Sequence, residues 1–208
     1  MMQLYDYFRS SASYRARITL AFKGIDVKLN EIHLVNDGGQ QHQTAYRQLN
    51  PQGLVPTLID EEYCINQSLA IIDYLEQKYP TPSVFPDNAF DRSLAYSIAL
   101  TIACDMHPLN NLRVLNYLKS HFSAQEDDVQ QWYHHWLTLG FDAIEKKLET
   151  HQANELVCIG KNISIADICL VPQVYNAKRF QFPLNNYPRI ETIYEACMTL
   201  PYFETTKP

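Results

Sequence analysis

The sequence predicts two domains of different class, an α/β domain over residues 1–80 and an all-helical domain over residues 87–208. Three observations predict this. Short runs of β character (Leu4–Phe8, Val27–Ile32, Thr57–Ile59, Tyr63–Ile65) are confined to the first eighty or so residues. Beyond residue 87 the apolar residues recur at helical spacing, and no strand pattern of comparable strength returns. Between the two, Tyr79-Pro80-Thr81-Pro82-Ser83 places two prolines where a helix would have to continue, and reads as a linker.

Taken in order, Leu4–Phe8 stops at a knot of serines, Ser10-Ser11-Ala12-Ser13. A helical pattern follows, with Tyr14, Ile18, Ala21 and Phe22 on one face and Gly24 as its C′ residue. After the second strand, a polar loop holding Gly38-Gly39 leads to a short helix near Gln41–Arg47. Asn50-Pro51-Gln52-Gly53 is turn chemistry, and two short strands form a hairpin around Asp60-Glu61-Glu62. Ser68 is placed to cap a helix through Lys78, with Leu69, Ile72 and Leu75 on one face. Strand, helix, strand, helix, hairpin, helix is the order of a thioredoxin-like domain. The second domain reads as a bundle of helices at roughly 87–119, 126–149, 164–179 and 187–198. His107-Pro108 punctuates the first of them, and Pro172 predicts a kink in the third. Ser164-Ile165-Ala166-Asp167 is a capping-box variant flanked by Ile163 and Ile168 as a hydrophobic staple, which makes Asp167 a folding residue.

The 208 residues allow a core in each half, and a ligand site is expected in a cleft between them. A net charge of −6 without a long basic run argues against nucleic acid as a partner. The five cysteines are scattered, odd in number and never in a C-x-x-C pair, so they read as free, mostly buried thiols of a reducing cytosol. The N-terminus has no basic and apolar leader pattern, and the most apolar helix, near Leu94–Cys104, is too short to span a bilayer. The expected location is cytoplasmic, with no membrane partner. His134-His135 does not suggest a metal, since neighbours on a helix diverge by about 100° and no further ligand follows at i+3 or i+4.

The serine corner is the chemical centre of the sequence. It lies where a strand hands over to a helix N-terminus, whose free N–H groups and dipole favour an anion. A thiolate there would have a depressed pKa. Thioredoxin-like folds carry Cys-x-x-Cys at this corner, whereas Ser10-Ser11-Ala12-Ser13 offers no sulfur, so a thiolate has to arrive on a ligand.

The segment Ser10-Ser11-Ala12-Ser13-Tyr14-Arg15-Ala16-Arg17-Ile18 resembles the Ser-Ser-Cys-x-aromatic-Arg-x-Arg-Ile motif of the zeta-class glutathione transferases. Two further stretches resemble the same family: Asn50-Pro51-x-Gly53-x-Val55-Pro56-Thr57-Leu58 with Gln67-Ser68, and Asp167–Val174 running on to Arg179. The likeness covers nearly the whole chain. Ala12 departs from it, standing where many members have cysteine, although the glutathione-dependent maleylpyruvate isomerases also lack that cysteine.

The resemblance implies the glutathione transferase fold, a homodimer, and glutathione as coenzyme. It implies cis–trans isomerisation of maleylacetoacetate to fumarylacetoacetate in tyrosine and phenylalanine catabolism. Maleylpyruvate isomerisation, a conjugating transferase and a non-catalytic binding module are the alternatives. It assigns Ser10 to the glutathione sulfur, with Ser11 beside it. Val55-Pro56 is implied to be a cis peptide whose Val55 edge pairs with the tripeptide backbone. Gln67-Ser68 would take the γ-glutamyl carboxylate, with Gln41, His107 and Asn111 as further glutathione contacts. Arg9, Arg15, Arg17, Arg113 and Arg179 read singly as ion-pair or surface groups, but Arg9 abuts the sulfur corner and Arg179 follows the last motif. These two are the expected donors to a small keto-diacid, because the guanidinium fork fits a carboxylate better than an ammonium does.

Overall fold

In the computed structural model, which describes residues 1–151 and 156–208 and only the backbone of Asp37, β1 (Gln3–Asp6) lies inside a four-stranded sheet. The sheet order is β2-β1-β3-β4, where β2 is Lys28–Glu31, β3 is Thr57–Asp60 and β4 is Tyr63–Asn66. β1 pairs parallel with β2 and antiparallel with β3, and β3 and β4 form the expected hairpin. The parallel pair needs a crossover, and α1 (Ser11–Phe22) supplies it. The expected helix near Gln41–Arg47 is two pieces, a 3₁₀ turn Gln40–His42 and α2 (Thr44–Leu49). α3 (Ser68–Lys78) closes the set, and Met2, Leu4, Ala16, Leu20, Leu58, Ile71 and Leu75 form the core it shares with the sheet and α1.

α1 is more deeply buried than its sequence pattern implies. Nearly every residue from Ser11 to Leu20 is buried, whereas Ala21, placed on the inner face by periodicity, is exposed. One cause is the end of the chain. The Tyr14 hydroxyl donates to the Phe203 carbonyl at 2.7 Å, and Arg17 Nε donates to the Thr206 carbonyl at 2.9 Å. The helix ends as expected at Gly24, with φ +65° and the paired Schellman bonds Ile25 N–H to Leu20 O and Gly24 N–H to Ala21 O.

The chain divides into one unit of residues 1–84 with 201–208 and a second of residues 85–200. The sequence reading gives residues 201–208 to the helical domain, whereas this tail, with its short helix α9 (Pro201–Glu204), clusters with the first unit. The linker is also tied to the first unit. Lys23 Nζ donates to Glu76 and to the carbonyls of Tyr79 and Pro82, while Glu76 accepts from Ser83 Oγ and the Val84 N–H. Val55-Pro56 is cis, and so is Thr81-Pro82.

The second unit contains α4 (Ala89–Leu100), α5 (Leu112–Phe122), α6 (Glu126–His151), α7 (Ile165–Arg179) and α8 (Pro188–Met198). The single expected helix at 87–119 is interrupted, since α4 widens into a π-helical segment over Thr101–Met106 and stops at the turn that holds Pro108. α6 passes close to that segment. A Cβ at Gly140 would sit 2.2 Å from Met106 Sδ, so the Met106 side chain packs directly on the α6 backbone there. α7 is buried from Ile165 through Val174 and runs through Pro172 as one helix. Among the described residues no helix is long and apolar enough to cross a membrane.

Candidate active site

Ser10 is the N-cap of α1, with φ −77° and ψ 119°, and its Oγ accepts the Ser13 N–H at 3.2 Å. That bond uses an oxygen lone pair and leaves the hydroxyl proton able to donate. The first turn of α1 contains no acidic residue, so its amides and dipole are not offset from within. Ser11 is buried at the first helical position. The loop before it is pinned from below. Arg17 Nη1 grips both oxygens of Asp6 at 2.6 and 2.9 Å, and Nη2 donates to the Phe8 carbonyl at 3.0 Å. Arg17 is therefore a structural brace, whereas Arg9 is exposed, with its guanidinium 5.1 Å from the Phe8 ring centre.

Val55 is buried in a cluster with Tyr7 and Tyr46. The peptide before it is held by a clamp that sequence reasoning missed. The Leu54 carbonyl accepts the Tyr46 hydroxyl at 2.6 Å and Asn50 Nδ2 at 2.7 Å. Both donors also contact Thr57 Oγ1, which donates to Asn66 Oδ1 at 2.9 Å. Burial pushes the Tyr46 phenol above its ordinary pKa, so it stays protonated and able to donate. The available signal was the Asn50-Pro51 turn, where Asn50 Oδ1 also accepts the Gln52 N–H.

At α3 the structure corrects the expected cap. Gln67 is the N-cap, with φ +70°, and Ser68 is the first helical residue. A non-glycine residue in the left-handed region is uncommon and costs on the order of 1 kcal/mol or more, a cost that clusters at ligand sites. Gln67 Nε2 donates to Gln52 Oε1 at 2.8 Å. Ser68 Oγ accepts from Arg15 Nη1 at 3.4 Å, and Arg15, only 1% exposed, links the interior of α1 to the start of α3. The first turn of α3 also lacks an acidic residue. The structure thus gathers an acid-free helix start, a strained cap and a buried guanidinium at one corner, an arrangement suited to a carboxylate.

Gln41 is buried, its Nε2 donates to the Leu34 carbonyl at 3.2 Å, and its Oε1 has no hydrogen-bond partner among the described residues. Its backbone carbonyl lies 2.9 Å from where a Gly53 Cβ would be, so the Gln41 loop packs on the turn leading to Val55. A buried acceptor without a donor costs about 1–3 kcal/mol, and an N–H or amine from a ligand would satisfy it. This fits a peptide-like ligand such as glutathione.

The other expected residues lie in the second unit. His107 follows the π-helical segment and is half-buried. Asn111 has a local role as the N-cap of α5, its Oδ1 accepting the Arg113 N–H at 3.1 Å. Arg179 ends α7, exposed, with Nη1 donating to Asn176 Oδ1 at 3.1 Å. His134 Nε2 contacts the Phe180 carbonyl at 3.0 Å, and the His135 ring meets the Trp136 ring edge-on at 5.0 Å.

Residues 4–83 match the family model described as glutathione S-transferase, N-terminal domain. The chain is 44% identical over 205 residues to the probable maleylacetoacetate isomerase of Vibrio cholerae, covering 99% of this chain and 94% of that protein. A solved holo structure of a maleylpyruvate isomerase, a bacterial zeta-class glutathione transferase, superposes with a TM-score of 0.96 at 38% identity, covering 99% and 96% of the two chains. The maleylacetoacetate isomerase of Methylobacterium extorquens, solved with bound malonate and glutathione, superposes with a TM-score of 0.94 at 31% identity, again covering 99% and 96%.

Proposed function

The chain belongs to the zeta-class glutathione transferases, and from that premise we propose that it is a glutathione-dependent cis–trans isomerase converting maleylacetoacetate to fumarylacetoacetate in tyrosine and phenylalanine catabolism. The observation that carries this reading is the Ser10 corner, a helix start without an acid whose cap hydroxyl keeps a proton to donate. When bound, glutathione supplies a thiolate that adds to the conjugated cis double bond and leaves after rotation, so the tripeptide is recovered unchanged.

The chain's own groups have separable tasks. Ser10 Oγ–H and the first-turn amides of α1, beside Ser11, hold the negative sulfur. The N–H and C=O of Val55, preceding Pro56, align the cysteinyl backbone on the frame set by Tyr46, Asn50 and Thr57. Gln67, Ser68 and the α3 amides take the γ-glutamyl carboxylate, and Gln41 Oε1 accepts from the ligand's nitrogen. His107 and Asn111 are assigned as outlying glutathione contacts. Arg9 and Arg179 are the guanidinium groups assigned to the substrate carboxylates. No side chain is required at position 12. Ala12 also favours maleylpyruvate as the second reading, since maleylpyruvate isomerases lack the cysteine there. We further assign a cytosolic homodimer, which sedimentation showing only a 24.1 kDa species at micromolar concentration would contradict.

Turnover of maleylacetoacetate and maleylpyruvate, each with glutathione far below the substrate concentration, tests the reading. Isomerisation with no loss of free thiol supports it and ranks the two diacids. Stoichiometric thiol loss would instead mark a conjugating transferase, and failure to bind glutathione a binding module. Ala12→Cys should change turnover little. A protein that isomerises neither diacid until Ala12 becomes Cys would overturn the mechanism.

A further inference from the structure

The C-terminal end of α7 presents two consecutive cations with different surroundings. Lys178 is directed to α8, with its Nζ 3.8 Å from Glu191 and 4.6 Å from the Tyr194 ring centre. Among the described residues Arg179 enters no ion pair, and its guanidinium is held by the neutral amide of Asn176 at 3.1 Å. That amide is also held from its other side, where Asn176 Nδ2 donates to the Tyr133 hydroxyl at 2.6 Å. The guanidinium sets which way the amide points: Arg179 can only donate, so Oδ1 faces it and Nδ2 faces the phenol, whereas the flipped amide would set a donor against a cation. Tyr133 is itself enclosed by its neighbours. It is 0% exposed in α6, and its ring stacks on Phe180 at 4.0 Å and 14°. Burial raises the phenol's pKa, with the nearby Arg179 charge opposing, so the hydroxyl stays neutral over the working pH range.

We propose that Asn176 is a positioning residue for Arg179, using Tyr133 as anchor to fix the guanidinium without neutralising it, so that its full charge remains for a substrate carboxylate. This deepens the proposed function and rests on its assignment of Arg179. The residue type is part of the inference. An aspartate at 176 would have the same shape but would pair with the guanidinium itself, and alanine would leave it to roam. A brace that only stabilised the helix end would tolerate aspartate best, since an acid three residues before an arginine supports a helix.

The test titrates malonate, as a dicarboxylate probe, into the glutathione-saturated protein by calorimetry, which does not depend on turnover. Asn176→Ala should weaken malonate ~10-fold, the scale of one hydrogen bond to a charged group. Tyr133→Phe, which removes only the anchoring hydroxyl, should weaken it ~3-fold, and Asn176→Asp should weaken it more than Asn176→Ala does. Glutathione affinity and melting temperature should stay near wild type for Asn176→Asp. In an Arg179→Ala background the Asn176 changes should have no further effect. An Asn176→Asp protein that binds malonate as well as wild type, or penalties that simply add to that of Arg179→Ala, would overturn the inference. If Arg179→Ala alone left malonate binding unchanged, the assignment of Arg179 and this inference would fall together. A protein that shows the expected malonate pattern yet isomerises neither diacid would sink the functional reading alone.

Discussion

α1 and α7 both begin on a serine N-cap, and the two helix starts have opposite fates. At α7, Ser164 is 1% exposed, and Asp167 completes the turn by accepting the N–H groups of Cys158 and Ser164 and the Ser164 hydroxyl at 2.7–2.9 Å. Burial holds the Asp167 carboxyl above its ordinary pKa, opposed by those donors. At α1, Ser10 is half-buried, and the first turn carries no acid. The same cap residue therefore makes a closed corner where the chain provides its own anion, and a corner open to a ligand's anion where it does not. Where the sequence withholds the internal partner, a helix start keeps its amides and dipole able to take an external anion.

The contrast can be broken first at α7. Asp167→Ala leaves three buried donors without an acceptor and should cost about 3–4 kcal/mol in urea unfolding, with glutathione affinity of the folded protein unchanged. At α1 the same kind of change should act on function. Ser10→Ala should lower turnover ~100-fold and move the bound glutathione thiol towards its free value of ~8.5, while stability falls by only about 1 kcal/mol. Thiolate absorbance titrated against pH reads the first effect, and thermal melts read the second. The contrast sharpens if α1 is given an acid of its own. Ala12→Asp should stabilise the fold by about 0.5 kcal/mol and weaken glutathione binding ~5-fold, an opposition that calorimetry and melting measure on one sample. α3 offers the mildest case. Gln67→Gly removes the left-handed strain but adds chain entropy to the unfolded state, so stability should move by no more than about 0.5 kcal/mol while glutathione affinity drops a few-fold.

The residues assigned to glutathione in the first unit stand out in the sequence because each is marked by a local conformational requirement. Proline after Val55 and serine at a helix start are such marks. Gln67 and Ser68 were found as a pair, but their roles were exchanged, since Ser68 is the better intrinsic cap and only the fold imposes a positive φ on Gln67. The Leu54 clamp was not legible, because tyrosine, asparagine and threonine carry no signature until the turn brings them to one carbonyl. Arg15 read as one of several surface or ion-pair arginines and is among the most buried side chains in the molecule.

The sequence alone determined the order of strands and helices through α3, the change of class near residue 85, the glycine end of α1 and the serine-capped starts of α1 and α7. These depend on backbone preferences and hydrogen bonds spanning a few residues, so a short window contains their physics. The tertiary structure alone decided that residues 201–208 bury α1, that Arg15 meets Ser68, and that Tyr133 anchors Asn176. These contacts join residues 189, 53 and 43 positions apart. Their worth comes from desolvation and exact polar pairing, quantities that exist only once distant segments have displaced the water between them.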